Sequence, residues 1–158
     1  SELPLARSTF LQNYRDGTLN NGWLVKHMTS PQEVSNLLSV ADRDIKDSQI
    51  PGLSSDWRLN IAYNAALQAA TAALAACGYR AAREAHHYHI IQSLAHTIGA
   101  SPVLVAQFDQ FRKKRNIGSY DMAGSASDQE AAEMISLAQR LCKDIKDWLS
   151  DHHSHLFE

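Results

Sequence analysis

Apolar residues recur along most of this chain at steps of three and four, the period of a helix packed on one side. Val34, Leu37, Leu38, Ala41 and Ile45 form the first stripe. Ser30-Pro31-Gln32-Glu33 stands ahead of it and supplies an N-cap, a proline at the first helical position and a glutamate placed to close a capping box. Ile50-Pro51-Gly52 ends that helix. A second helix is predicted from about Asp56 to Cys77, with Tyr63, Leu67, Leu74 and Cys77 as its bulk, alanines between them and Gly78 as its stop. A third spans roughly Arg83 to Thr97, with Tyr88, Ile91, Leu94, Ala95 and Ile98 on one stripe and Gly99 beyond. Ser101-Pro102 opens a fourth, which carries Leu104, Phe108 and Phe111 toward Asn116. The stretch IGSYDMAGSAS reads as a loop. Ser127-Asp128-Gln129-Glu130 is a second capping box, opening a long last helix lined by Met134, Leu137, Ala138, Leu141, Ile145 and Trp148, with Glu133, Arg140, Lys143 and Lys146 largely outside.

No stretch alternates as a strand does, so the fold class expected is all-α, an up-and-down antiparallel bundle of four to five helices joined by short links. There is no internal repeat and no second domain. Residues 31–153 form the bundle, and residues 1–30, with turn signals at RDGT and NNGW, form an irregular segment. Its Leu3, Leu5, Phe10, Tyr14, Trp23 and Leu24 are available to pack on the bundle. At 158 residues the chain can bury a core without staples.

Composition changes this picture in one respect. Hydrophobic residues make up 44%, charged ones 20%, and the net charge is -2 with His neutral. A protein that is basic overall is excluded, so any nucleic-acid contact has to come from a local patch. Cys77 and Cys142 both lie in apolar helical settings and read as buried thiols, a usage that fits a reducing cytoplasm. No apolar run approaches the roughly 20 residues that span a bilayer. The opening SELPLARSTF has neither the basic region nor the apolar stretch of a signal peptide, so a bacterial-type cytoplasmic protein is expected.

The densest local charge is Arg112-Lys113-Lys114-Arg115, running into Asn116 and, a short step on, Tyr120 and Asp121. Cations at a helix C-terminus are favoured by the macrodipole at about 0.3–1 kcal/mol each, and that account needs no ligand. The functional account is that Arg112 and Arg115, three apart, share a face and grip phosphate together, Arg115 bidentately, while Asn116 offers donors and an acceptor to a base edge or sugar hydroxyl. Six of the eight histidines cluster as His86, His87, His89 and His152, His153, His155. His86 and His89 have a metal-compatible spacing but no Cys or carboxylate at a recognised ligand spacing, so no metal and no cofactor are expected. The C-terminal HHSH reads as a helix end. No Gly-x-Ser-x-Gly elbow, Gly-rich phosphate loop or His-Glu-x-x-His is present, and the carboxylates fall mainly on outer faces.

Three stretches together resemble the HEPN family of small prokaryotic helical-bundle domains. NIAYNAALQAATAALAACGY (60–79) is similar to its Ala-rich helix, with an Ala-Tyr pair near the start; EAHHYHIIQSLAHTIG (84–99) is similar to the next; FRKKRNIGSYD (111–121) is similar to the signature segment. The resemblance covers roughly residues 31–150. It implies metal-independent RNA cleavage at a site where two protomers meet, hence a homodimer, and often a nucleotidyltransferase-like or other antitoxin partner in a toxin–antitoxin or defence system. Arg115 and Asn116 match the motif's opening pair, and Tyr120 stands where the family carries His. Tyr titrates near pH 10 and donates a hydrogen bond at neutral pH but serves poorly as a base. The expectation is therefore an RNA- or nucleotide-binding homodimer using Arg112, Lys113, Arg115, Asn116, Tyr120 and Asp121, with Arg115, Asn116 and Tyr120 as a catalytic set of weak or lost ribonuclease activity. The alternatives are an active ribonuclease using Arg115 and a histidine outside the motif, His86, His87 or His89, and a protein-interaction bundle without a nucleic-acid role. For the dimer contact, the Ala-rich second helix and an exposed Trp57 are the candidates.

Overall fold

The structure, a computed structural model, describes residues 22–83, 86–118 and 125–157, with the side chains of 116–118, 156 and 157 outside that description. Five helices account for most of it: α1 (Pro31–Ser48), α2 (Ser55–Ala76), α3 (His86–Thr97), α4 (Pro102–Gly118) and α5 (Asp128–His152), followed by a 3-10 turn at Ser154–Phe157. The chain is an all-α helical bundle, and none of its described helices is long and apolar enough to cross a membrane.

Local chemistry sets most of the helix boundaries. The Ser30 hydroxyl accepts the Glu33 N–H at 3.1 Å, and Ser54 accepts the Trp57 N–H at 3.2 Å. At α5 the capping box closes in both directions, each hydrogen bond 3.0 Å long. Glu33 behaves differently from the box predicted for it. Its carboxylate reaches back to His27 Nε2 at 2.7 Å, because the preceding chain is folded against the start of α1. Gly78 follows the end of α2 with φ +88°, a left-handed conformation that costs glycine little.

The core is organised around α2. Ala62, Tyr63, Ala65, Ala66, Ala69, Ala70, Ala72 and Ala73 are all fully buried, over most of the helix circumference, and a stripe of Ile61, Asn64, Gln68 and Thr71 is half-buried. A helix apolar over most of its circumference has to be covered on several sides, and α1, α3, α4 and α5 all pack against it. Methyl-sized side chains let these neighbours approach closely, with Val34, Leu38 and Ala41 from α1 and Met134, Leu141 and Ile145 from α5 filling the space. Lys146, read as an outward residue, bonds Asp42 of α1 at 2.7 Å and ties α1 to α5.

Two expectations change. A short antiparallel pair, β1 (Leu24–Lys26) with β2 (Tyr79–Ala81), stands where no strand was predicted. Three residues are too few to show alternation, and the pair exists because the chain before α1 runs beside the chain leaving α2. It also buries Leu24, as the apolar residues of that segment suggested. The second change is in α3, which begins at His86 and turns its core face one position earlier than predicted: Ile90, Ile91, Ser93 and Leu94 are buried while Ala95 is exposed. Both Ile91 and Leu94 belong to either stripe, so twelve residues rich in His and Ile leave the phase to the neighbours. Helix α4 also continues to Gly118, through the first residues of the predicted loop.

The helix ends decide where a site can form. Ser55 donates to the Asp128 carboxylate, and the Ala126 N–H donates to Asp56 at 3.0 Å, so α2 and α5 start at the same end of the bundle. Lys114 pairs with Glu130 at 2.7 Å and brings the last turns of α4 there too.

Ala69→Leu is expected to destabilise the fold by about 1–3 kcal/mol through overpacking around α2. Ala95→Leu, on an exposed face, should change stability by less than about 0.5 kcal/mol. Urea unfolding midpoints of the two variants check this, and equal midpoints would refute the central burial of α2.

Candidate functional site

Four cations in a row on a helix diverge by about 100° per residue, and the bundle gives each a different environment. Arg112 Nε donates to Asp109 Oδ1 at 2.7 Å, and its guanidinium carbon lies 5.4 Å from the centre of the Tyr88 ring. Lys113 points outward, 3.6 Å from the other oxygen of Asp109. Lys114 faces α5 and Glu130. Arg115 turns toward α2, its guanidinium carbon 4.9 Å from the centre of the Tyr63 ring. Arg112 and Arg115 thus lie over neighbouring tyrosines from two other helices.

Tyr63 is the hinge of this arrangement. Its ring is fully buried, packed edge-on against Phe108 at 5.6 Å, and its hydroxyl lies 3.3 Å from His87 Nδ1. Burial pushes its phenol up to about 12, partly offset by the charges of Arg115 and Arg112. Tyr63 therefore keeps its proton at any physiological pH. Burial also pushes His87 below its ordinary value, and Arg115, His86 and Arg112 push it further the same way. His87 is accordingly a neutral imidazole at pH 7. If the Tyr63 hydroxyl donates to Nδ1, Nε2 carries the ring proton and is a hydrogen-bond donor; with the opposite tautomer, Nε2 is unprotonated and can act as a base.

A narrow cleft opens beside Arg115 at the shared end of α2, α4 and α5. It is lined by Asp56, Leu59, Asn60, Lys114, Arg115 and Ser125–Ala126. Two cations, a carboxamide and a hydroxyl are a donor set suited to an anionic oxygen; the Asp56 carboxylate in the same lining is held by the Ala126 N–H.

Of the residues picked out from sequence, Arg112 and Arg115 come together with tyrosines, while Lys113 stands apart on the surface. Asn116 lies in the last turn of α4, and its side chain is outside the described residues. Tyr120 and Asp121 lie outside the described residues altogether. Of the three histidines considered as replacements for a motif His, His87 adjoins the Tyr63–Arg115 contact. His89 is on the other side of α3, stacked on Trp23 at 4.4 Å between ring centres, and His86 has its ring 5.7 Å from that of His87. Among the described residues, no three His, Cys, Asp or Glu side chains converge as a metal site would need.

Sequence reasoning missed Tyr63, Tyr88 and Asp109. The two tyrosines were counted as apolar stripe residues. Asp109 carried a readable signal, standing three and four residues before Arg112 and Lys113.

No protein-family model matches the chain. Curated proteins named Regulator of sigma D, from Pectobacterium carotovorum subsp. carotovorum and Pectobacterium atrosepticum, are each 30% identical to it over 70 residues. The match takes in 43% of this chain and 46% of each relative, so it spans less than half of their length.

The imidazole of His87 is expected to titrate below 6.5 by NMR, and Arg115→Ala should move that titration upward by removing a repelling charge. No movement would refute the proximity of the two groups. The folded protein then binds fewer protons than the unfolded chain as pH falls below about 6.5. His89 and His96, lowered by burial, act in the same direction. Stability should hold above pH 6.5 and fall below it, as chemical denaturation at pH 7.5 and 5.5 would measure.

Proposed function

We propose that the protein is a homodimer that binds single-stranded RNA or a nucleotide, with its phosphate at Lys114 and Arg115 and with Arg112 held in reserve beside them. The observation that carries this reading is the Arg115 guanidinium braced over a buried tyrosine and lining a narrow cleft beside Lys114 and Asn60. A cation braced in that way loses little side-chain freedom when it meets an anion, and a planar fork suits a phosphate. The resemblance of 111–121 to the HEPN signature supports the same reading and implies a ribonuclease ancestry, with a toxin–antitoxin or defence setting.

His87 bears on activity. A neutral imidazole beside two arginines and a protonated tyrosine supplies the elements of metal-independent phosphodiester cleavage: a proton carrier, a donor and cationic stabilisation of the crowded phosphate. Activity weak at best is the reading, because the imidazole is engaged by Tyr63 and partly shielded in the bundle. A second reading is a protein-interaction bundle. It is favoured by the partial match to proteins named as regulators of sigma D, and its partner would be a transcription factor of the sigma class.

Labelled RNA incubated with the purified protein in EDTA separates these readings. Binding should weaken steeply with salt, and Arg115→Ala should flatten the log–log slope by about 0.7, the value of one phosphate contact on a single strand. Cleavage that disappears in both Arg115→Ala and His87→Ala would make the protein an active ribonuclease. Absence of RNA binding, together with capture of a sigma factor that survives Arg115→Ala, would establish the second reading instead.

A further inference from the structure

Trp57 is largely left out of the core of the bundle. It is 63% exposed, while Trp23 and Trp148 are covered to a greater degree. It stands in the first turn of α2, where the Ser54 hydroxyl accepts its backbone N–H. Asp56, Leu59 and Asn60, its near neighbours on the helix, line the cleft that holds Lys114 and Arg115. Trp57 does not line the cleft itself, but it is three residues before Asn60, which does, and the two share a helix face.

We infer that Trp57 is a stacking platform for a base of the single-stranded nucleic acid whose phosphate lies at Lys114 and Arg115; the inference rests on the phosphate-binding reading above. Three features support a base as its occupant. An indole offers a large face with only two side-chain torsions to fix, so ordering it is inexpensive. Its backbone belongs to the most deeply held helix of the bundle, which makes the platform rigid. The Asn60 carboxamide beside it has two donors and an acceptor, the complement of a base edge. Of the carboxylates nearby, Asp56 accepts the Ala126 N–H, Asp128 accepts from Ser55 and Glu130 pairs with Lys114, and the Arg115 guanidinium lines the same cleft as the group placed to meet a phosphate. Stacking has no strong sequence preference, and the site accordingly takes single strands whose bases are unpaired.

The full-length protein is titrated with a short oligouridylate, an oligoadenylate and an abasic phosphate chain of equal length, with affinity and tryptophan fluorescence both followed. Trp57→Ala should weaken binding of the two oligonucleotides by about 5- to 150-fold, the range for one base on one aromatic ring. It should leave the abasic chain and the salt slope unaltered, and it should leave the melting temperature unaltered. Trp57→Phe should keep most of the affinity while removing the fluorescence quenching. If Arg115→Ala weakens binding and Trp57→Ala does not, the phosphate reading stands and the stacking inference is overturned. If the native protein binds none of the three chains, both fail. A shift of Trp57→Ala from dimer to monomer on gel filtration, without a base-dependent loss, would assign the indole to a contact between two copies and overturn the inference as well.

Discussion

Everything in this fold depends on burying α2 over most of its circumference. A helix of some twenty residues with alanine at most core positions has little to contribute by itself: each methyl removes only a small area from water, and no single stripe dominates. It becomes stable by drawing four other helices close enough for their larger side chains to pack across it. Apart from the half-buried stripe of Ile61, Asn64, Gln68 and Thr71, it is the start of α2 that meets solvent. Its first turn, capped by Ser54, is fixed by Ser55 and Asp56 to the start of α5, and the cleft sits at that junction. The alanines of this helix face its neighbours in the bundle, and Trp57 stands at its exposed end.

Electrostatics and packing are combined at Tyr63. The ring is a core residue on α2, yet it is also the surface on which Arg115 rests and the partner of His87. A guanidinium over an aromatic face gains an attraction that strengthens as water is excluded, and the same exclusion keeps Tyr63 protonated and His87 neutral. Asp109 has the complementary role on the other side of α4, neutralising Arg112 and drawing in Lys113, so that a run of four positive charges is tolerated within one helix. Of the four, only Lys114 and Arg115 line the cleft. A basic run that looks uniform in one dimension is thus turned by the helix toward different partners, Arg112 and Lys113 to Asp109, Lys114 to Glu130 and Arg115 to the Tyr63 ring.

The legible parts of the fold were those written in local chemistry. The caps at Ser30 and Ser127, the stop at Gly78 and the stripes of α1 and α5 follow from neighbours within four residues, and they appear where the pattern put them. The strand pair was hidden because its two halves are more than fifty residues apart and three residues long, and the face of α3 because its apolar residues fit two phases equally. In the site, Arg112 and Arg115 stood out by charge alone, whereas the tyrosines beneath them looked like ordinary core residues.

By itself, the sequence determined that this chain is a helical bundle and where most of its helices begin and end, because periodicity and capping act over a few residues. It also determined that any anion-binding character must be local, since the net charge is slightly negative. Only the tertiary structure decided which cation lies against which ring, that His87 rather than His86 or His89 adjoins Arg115, and that Lys114 and Arg115 share a cleft with Asn60. Those outcomes depend on distances between residues remote in the chain, and they are set when α2, α3, α4 and α5 close around one buried tyrosine.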